Sequence, residues 1–406
     1  MKRATAIHGH LLRAQPVSAY APDPHATCNQ QSGVFIDGIH ILAPCLHRPL
    51  GNQGEWVDAE TGNTTRAAGA IQQSLEDGLG KVYIQSKQIS RQLRAARAIY
   101  IDCCPPKVLQ GHNVFGHAVL QDYVYEILDR VTRALGIDVR PEDRALWRAG
   151  TVHLTEIHLT ANFSCPRNLI VPVMDAVDLG NRHGKQRILP TWVKLGLTPS
   201  GNSASHTLTL YDKLEEMAGL FPWPTTPLQR KLLKEAREGG LRAEVKLHSQ
   251  GLNSMSKSLS KSLGGQIDLK NIASWSRVDV AELFFEVFRR YEVVHAVQPV
   301  PSVAQLKLLK LKELNVYTNW LLGRSLKEQL PNRGTARRYA AVIEQKTGVN
   351  IRVARWGDEV RPAVDLKDLF APTNVRVVPG WALGTRWYSP PRSLSEANND
   401  GGKSEE

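Results

Sequence analysis

The chain has 406 residues, with 51 lysines and arginines against 39 aspartates and glutamates and a net charge of +12 at pH 7. Such a length exceeds one ordinary core and predicts two domains with short tails, while the positive balance favours DNA or RNA as partner over a membrane surface. No apolar run approaches the roughly 20 residues that span a bilayer and Met1 to Ala21 lacks a signal-type core, so a soluble cytoplasmic protein is expected.

Residues 1–32 mix Pro, Ala, His and Gln without periodicity and are expected to be a disordered extension. A first strand is predicted over Val34 to Leu42, and a hairpin-like pair over Lys81 to Ser86 and Ala98 to Cys103. The loop LQGHNVFG follows, then a helix whose Val119, Tyr123, Ile127, Val131 and Leu135 recur every four residues and which Gly136 stops. The five cysteines (Cys28, Cys45, Cys103, Cys104 and Cys165) show neither zinc-knuckle nor disulfide spacing and read as reduced thiols.

Three segments then alternate between apolar and chemically active residues. Thr155 to Phe163 sets Ile157, Leu159, Ala161 and Phe163 against Glu156, His158, Thr160 and Asn162. His206 to Lys213 sets Leu208 and Leu210 against Thr207, Thr209 and Tyr211, and Leu241 to His248 sets Leu241, Ala243, Val245 and Leu247 against Arg242, Glu244, Lys246 and His248. The two-residue strand period therefore predicts one apolar and one polar sheet face. Between the second and third strands lies a basic helix, Pro227 to Glu238, ended by Gly239-Gly240.

Val278 to Val294 is predicted helical, and Val297 to Val303 is the predicted linker because Pro299 and Pro301 interrupt both helix and ladder. The first domain is thus 33–296. Beyond it, Ala304 to Leu322, Ser325 to Leu330 and Thr335 to Lys346 are predicted helices, the last two joined by Pro331-Asn332-Arg333-Gly334. That spacing fits a helix-turn-helix carrying Arg337, Arg338 and Tyr339; a solvated face on an ordinary bundle accounts for the same residues. Residues 304–388 are expected to form a smaller helical DNA-binding domain, and 389–406 a disordered tail. The fold class is α+β, an antiparallel sheet with flanking helices followed by that helical domain.

On the polar face, Glu156 and His158 stand roughly 6.5 Å apart on one side of a strand, a carboxylate and an imidazole able to share a divalent ion such as Mg²⁺ or Mn²⁺. Tyr211 stands at a strand exit with Lys213 beside it. A phenol with a pKa of about 10 needs a cation or base to attack phosphorus, and Lys213 is the candidate. Glu244, between Arg242 and Lys246, is a third metal candidate or an organiser of phosphate-binding cations, and a cross-strand salt-bridge ladder is the plainer account of the same residues. Asp37 is a reserve acid on a strand that alternates poorly. Arg242, Arg324, Lys327, Arg333, Arg337 and Arg338 are the expected contacts to DNA phosphates.

Six segments in order, FIDGIHI (Phe35 to Ile41), LQGHNVFG (Leu109 to Gly116), TEIHLTANF (Thr155 to Phe163), TLTLYDKLEE (Thr207 to Glu216), LRAEVKLHS (Leu241 to Ser249) and YTNWLLGRSL (Tyr317 to Leu326), resemble the gene II replication initiators of filamentous phages. The resemblance implies a rolling-circle endonuclease that nicks one strand of a double-stranded origin, holds the 5′ end through a tyrosine, and later joins the displaced single strand into a circle. It also implies work alongside host replication helicase and polymerase. Tyr211 matches the family's Y-x-K element and is the implied nucleophile, with Lys213 assisting. In two-histidine nickases a pair of histidines flanks one bulky residue; the matching triplet here is Glu156-Ile157-His158, with a carboxylate in place of one imidazole. A non-enzymatic DNA-binding regulator is the alternative.

Overall fold

The computed structural model describes residues 33–51, 53–57, 64–68, 71–74, 80–90, 94–180, 185–197, 203–220, 226–295, 301–352, 365–385 and 387–388. The two expected disordered ends and most of the expected linker lie outside these residues. Among the described residues there are eleven strands: β1 (Phe35–His47), β2 (Gln53–Val57), β3 (Thr64–Ala68), β4 (Ile71–Ser74), β5 (Lys81–Ser90), β6 (Ala95–Cys103), β7 (His153–Phe163), β8 (Lys185–Leu189), β9 (Trp192–Leu197), β10 (Ser203–Asp212) and β11 (Leu241–His248). Nine form one sheet in the order β4-β5-β6-β1-β7-β11-β10-β9-β8, antiparallel at every step, and β2 pairs with β3 in a separate ribbon. The α+β class expected from the sequence is therefore the class observed.

The alternation in sequence becomes two faces in space. Ile157, Leu159, Ala161 and Phe163 of β7, Leu208 and Leu210 of β10, and the four apolar residues of β11 are all fully buried in one core. Each of the leucine, isoleucine, valine and phenylalanine side chains among them contributes about 1.5–3 kcal/mol relative to exposure. Helices Leu120–Ala134, Arg167–Gly180, Ser249–Leu263 and Val280–Arg289 cover that core. The last, capped by the Asp279 carboxylate, places Phe285 edge-on to Phe163 with ring centroids 6.4 Å apart. Pro172 lies inside Arg167–Gly180, which masks that helix in the sequence.

A second, smaller core joins Leu309, Val316, Tyr317, Trp320, Ala340, Ile343, Val349 and Ile351. The single helix expected over Ala304 to Leu322 is two pieces, Val303–Lys307 and Leu311–Leu321. Lys310 breaks it, because its extended backbone caps the second piece and its amide donates to the Glu313 carboxylate at 2.8 Å. Leu326–Gln329 and Arg333–Thr347 follow, and Gly348 ends the latter in the left-handed conformation at φ 75°.

The segment from residue 365 does not extend this helical unit to 388 as the sequence led us to expect. Leu366, Leu369, Phe370 and Val375 join the core of the large sheet. Val375 bridges Phe163, and the Arg376 amide donates to the Asn162 carbonyl at 2.8 Å. The apolar side chains of this segment are buried by the large core, not by the small one.

Candidate active site

β7 runs through the middle of the polar face with β1 on one side and β11 on the other. Register sets His40 of β1 opposite Glu156 and Gly38 opposite His158, while on the far side His248 faces Glu156 and Lys246 faces His158. Gly38 is required there: a Cβ at that position would stand 2.7 Å from Cγ of His158. Asp37, just before it, falls in the register shift between β1 and β7. That bulge explains why this strand alternates poorly in sequence.

One oxygen of Glu156 lies 2.7 Å from Nε2 of His158 and 3.6 Å from Nε2 of His40, and the other accepts from Nδ1 of His248 at 2.6 Å. Burial alone would raise the Glu156 carboxyl, but hydrogen bonds from His158 and His248 and the nearby His40 hold it well below the usual carboxylate range. His40, Glu156 and His158 each offer a ligand atom, and these atoms all lie within 4.8 Å of one another. Two imidazoles and a carboxylate are a suitable donor set for a divalent ion that keeps positions open for phosphate oxygens, so the residues fit the metal the sequence implied. The second imidazole missing from the Glu156-Ile157-His158 triplet comes from the neighbouring strand. Tyr100 orients it, its hydroxyl 3.2 Å from Nδ1 of His40.

Glu244 stands outside that triad and between it and the tyrosine. Its Oε1 is 3.6 Å from Nδ1 of His158 and 3.2 Å from Nζ of Lys246, and its Oε2 accepts from the Tyr211 hydroxyl at 3.5 Å. Tyr211 is 5% exposed and clamped along one register line: Trp192 of β9 stacks on its ring at 5.1 Å, and the Arg242 guanidinium lies 6.0 Å from the ring on the β11 side. Burial pushes the Tyr211 phenol well above its usual value, with Arg242 opposing and Glu244 reinforcing the shift.

Two expected roles change. Lys213, expected beside the phenol, begins the helix Lys213–Leu220; its buried ammonium donates to Asn113 Oδ1 at 2.9 Å and pairs with Glu216. Burial lowers it to about 8, and Arg242 adds to that shift. The cation that reaches the Tyr211 hydroxyl is Arg242, at 3.4 Å. Arg242, expected to contact DNA, is 0% exposed, because its guanidinium is already taken by Asp37, Asn162 and the Asn113 and Val114 carbonyls. Asn113 in turn donates to both Asp37 oxygens, at 2.9 and 3.1 Å. The loop LQGHNVFG thus closes beneath the tyrosine as part of a buried ion network. The other five expected DNA contacts, Arg324, Lys327, Arg333, Arg337 and Arg338, are exposed on the small helical unit.

In front of these residues lies a cleft of about 520 Å³, lined among others by His158, Glu244, Tyr211 and four lysines, Lys81, Lys107, Lys194 and Lys246. The residue that sequence reading missed is His40. Its signal was the second half of FIDGIHI, hidden by the bulge at Asp37. No helix among the described residues is long and apolar enough to cross a membrane. A comparison with curated proteins finds no match. Residues 35–270, which hold all eleven described strands and every residue of the cleft, match the N-terminal family of the gene II replication-associated protein, and since that is more than half of the chain, the chain belongs to this family of phage replication initiators.

Proposed function

We propose that the protein is a site-specific DNA nickase that starts rolling-circle replication, with Tyr211 as nucleophile. The observation that carries this reading is one line of contacts within a lysine-bearing cleft: Tyr211 to Glu244, Glu244 to His158, His158 to Glu156. Mg²⁺ or Mn²⁺ held by His40, Glu156 and His158 would polarise the scissile phosphate. Glu244 takes the phenol proton as Tyr211 Oη attacks phosphorus. The P–O bond to the 3′ oxygen breaks, and that oxygen leaves as a 3′-hydroxyl after gaining a proton. Arg242 offsets part of the cost of the phenolate in a buried site.

The product keeps one phosphodiester, now to tyrosine, so attack by a later 3′-hydroxyl reverses the step and closes a single-stranded circle. The freed 3′ end primes synthesis by host polymerase behind host helicase. Lys81, Lys107, Lys194 and Lys246 are placed to hold phosphates along the cleft. The exposed arginines and Lys327 of the helical unit grip the flanking duplex, with a salt slope that falls when they are removed. Mass spectrometry of the peptide left on a nicked origin strand tests the assignment: a Tyr211 adduct is expected. Attachment through any other residue rejects Tyr211, and duplex binding with no cleavage in Mg²⁺ or Mn²⁺ favours a non-enzymatic regulator.

A further inference from the structure

Beyond Tyr211, toward the open edge of the sheet, the polar face changes character. Trp192 pairs with Tyr211 and Lys194 with Thr209, so both share the face of the proposed nucleophile. β8 then ends the sheet, and its Ile188 lines the same cleft as Trp192, Lys194 and Tyr211. Ile188 and its neighbour Leu189 are each 44% exposed. Arg187, just before them, has its guanidinium occupied, paired with Asp175 at 2.9 Å and donating to the Leu189 carbonyl at 2.8 Å. An edge strand is normally blunted with charge, and here it instead sets a branched apolar side chain next to a half-buried tryptophan inside the cleft, a lining that suits something flat and apolar.

We propose that Trp192 and Ile188 form a nucleobase subsite, which holds one unpaired base next to the phosphate presented to Tyr211. Neighbouring strands lie about 4.8 Å apart, so Ile188 on β8 is roughly 10 Å from the β10 strand that carries the tyrosine. That distance suits a nucleotide whose phosphate lies at Tyr211 and whose base reaches the edge. Lys194 and Lys246 flank the path with charges for the backbone. Aromatic and apolar side chains beside a basic track are how single strands are held without reading sequence. A paired base has both faces covered by its neighbours and cannot enter, so the strand in the cleft is locally melted. The placement of the phosphate rests on the nickase reading; the base subsite itself does not need cleavage.

The test uses full-length protein in EDTA, which separates binding from chemistry. Fluorescence anisotropy compares a labelled oligothymidylate with an abasic strand of equal length. Wild type is expected to bind the thymidylate about tenfold or more tighter. Trp192→Ala is expected to erase most of that difference while leaving abasic affinity within about twofold. Ile188→Ser, on an exposed side chain, is expected to reduce the difference without lowering the melting temperature, so loss of fold is not the cause. If both variants keep the wild-type preference, or lose affinity for both strands alike, the subsite is wrong. Base preference without any tyrosine adduct would reject the nickase reading alone; an adduct without base preference would reject the subsite alone.

Discussion

Arg242 shows how far a residue's role depends on what surrounds it. Alone on a basic strand it reads as a phosphate contact; in the fold it is a buried cation that serves Tyr211, Asp37 and two loop carbonyls. Burial would weaken its charge, yet Tyr211 and Asp37 raise its hold on the proton. Removing it strips the buried Asp37 carboxylate of its ion-pair partner and leaves it neutral donors such as Asn113, so Arg242→Ala is expected to lose about 3–5 kcal/mol in urea unfolding. A loss below about 0.5 kcal/mol, the usual scatter for an exposed position, would show that the network is not structural. Gly38 supports the site through absence of a side chain. In Gly38→Ala the His158 ring must move, and Mn²⁺ affinity by calorimetry is expected to fall about tenfold or more, as when a supporting group around a metal is disturbed. Unchanged affinity would place the ion elsewhere.

At the level of elements, the three alternating strands needed little beyond the two-residue period, since their apolar residues are buried and Glu156, His158, Tyr211 and Glu244 share the opposite face, while His206 turns to Tyr291 on the apolar side. β1 was harder. Its bulge at Asp37 shifts the register, so His40 does not announce itself by spacing. The loop that follows Gly111, through His117, carries its own signature in acid. His112 and His117 are lowered to about 4, burial being the leading cause in each. Between pH 4 and 6.5 the unfolded chain therefore binds more protons than the folded one, and stability rises with pH over that window. From pH 7 to pH 5 each histidine is expected to cost of order 2 kcal/mol. Urea midpoints at the two values check this; a flat profile, or one that His112→Gln/His117→Gln leaves unchanged, refutes it.

For the whole molecule, the path of the chain after the helical unit matters most. Val375, Arg376 and Asn374 fasten the returning segment to β7 and the loop after it, and Phe370 packs on Phe163 at 5.2 Å. A chain ended at residue 352 removes more than a tail: it uncovers the sheet core at its centre. Such a chain is expected to melt several degrees below the full one, since a few kcal/mol moves the midpoint of a large domain by that much. Equal melting temperatures would mean the segment is only draped on the surface. Removing Arg337 and Arg338 instead is expected to leave melting alone and to flatten the salt dependence of duplex binding by about one to two units of slope, measured by anisotropy over a salt series.

The sequence by itself determined the fold class, the two faces of the central strands and the placing of Glu156, His158, Tyr211 and Glu244 on one of them, because strand alternation is local and has no competitor over eight or more residues. It could not place His40 at Glu156, assign Arg242 rather than Lys213 to the tyrosine, or bring residue 375 back to residue 163. Those are cross-strand and long-range facts, set by register, by a bulge and by the core to which the chain returns. Tertiary structure decided them because a buried charge takes whichever partner the packing brings within reach, and spacing along the chain carries no record of that distance.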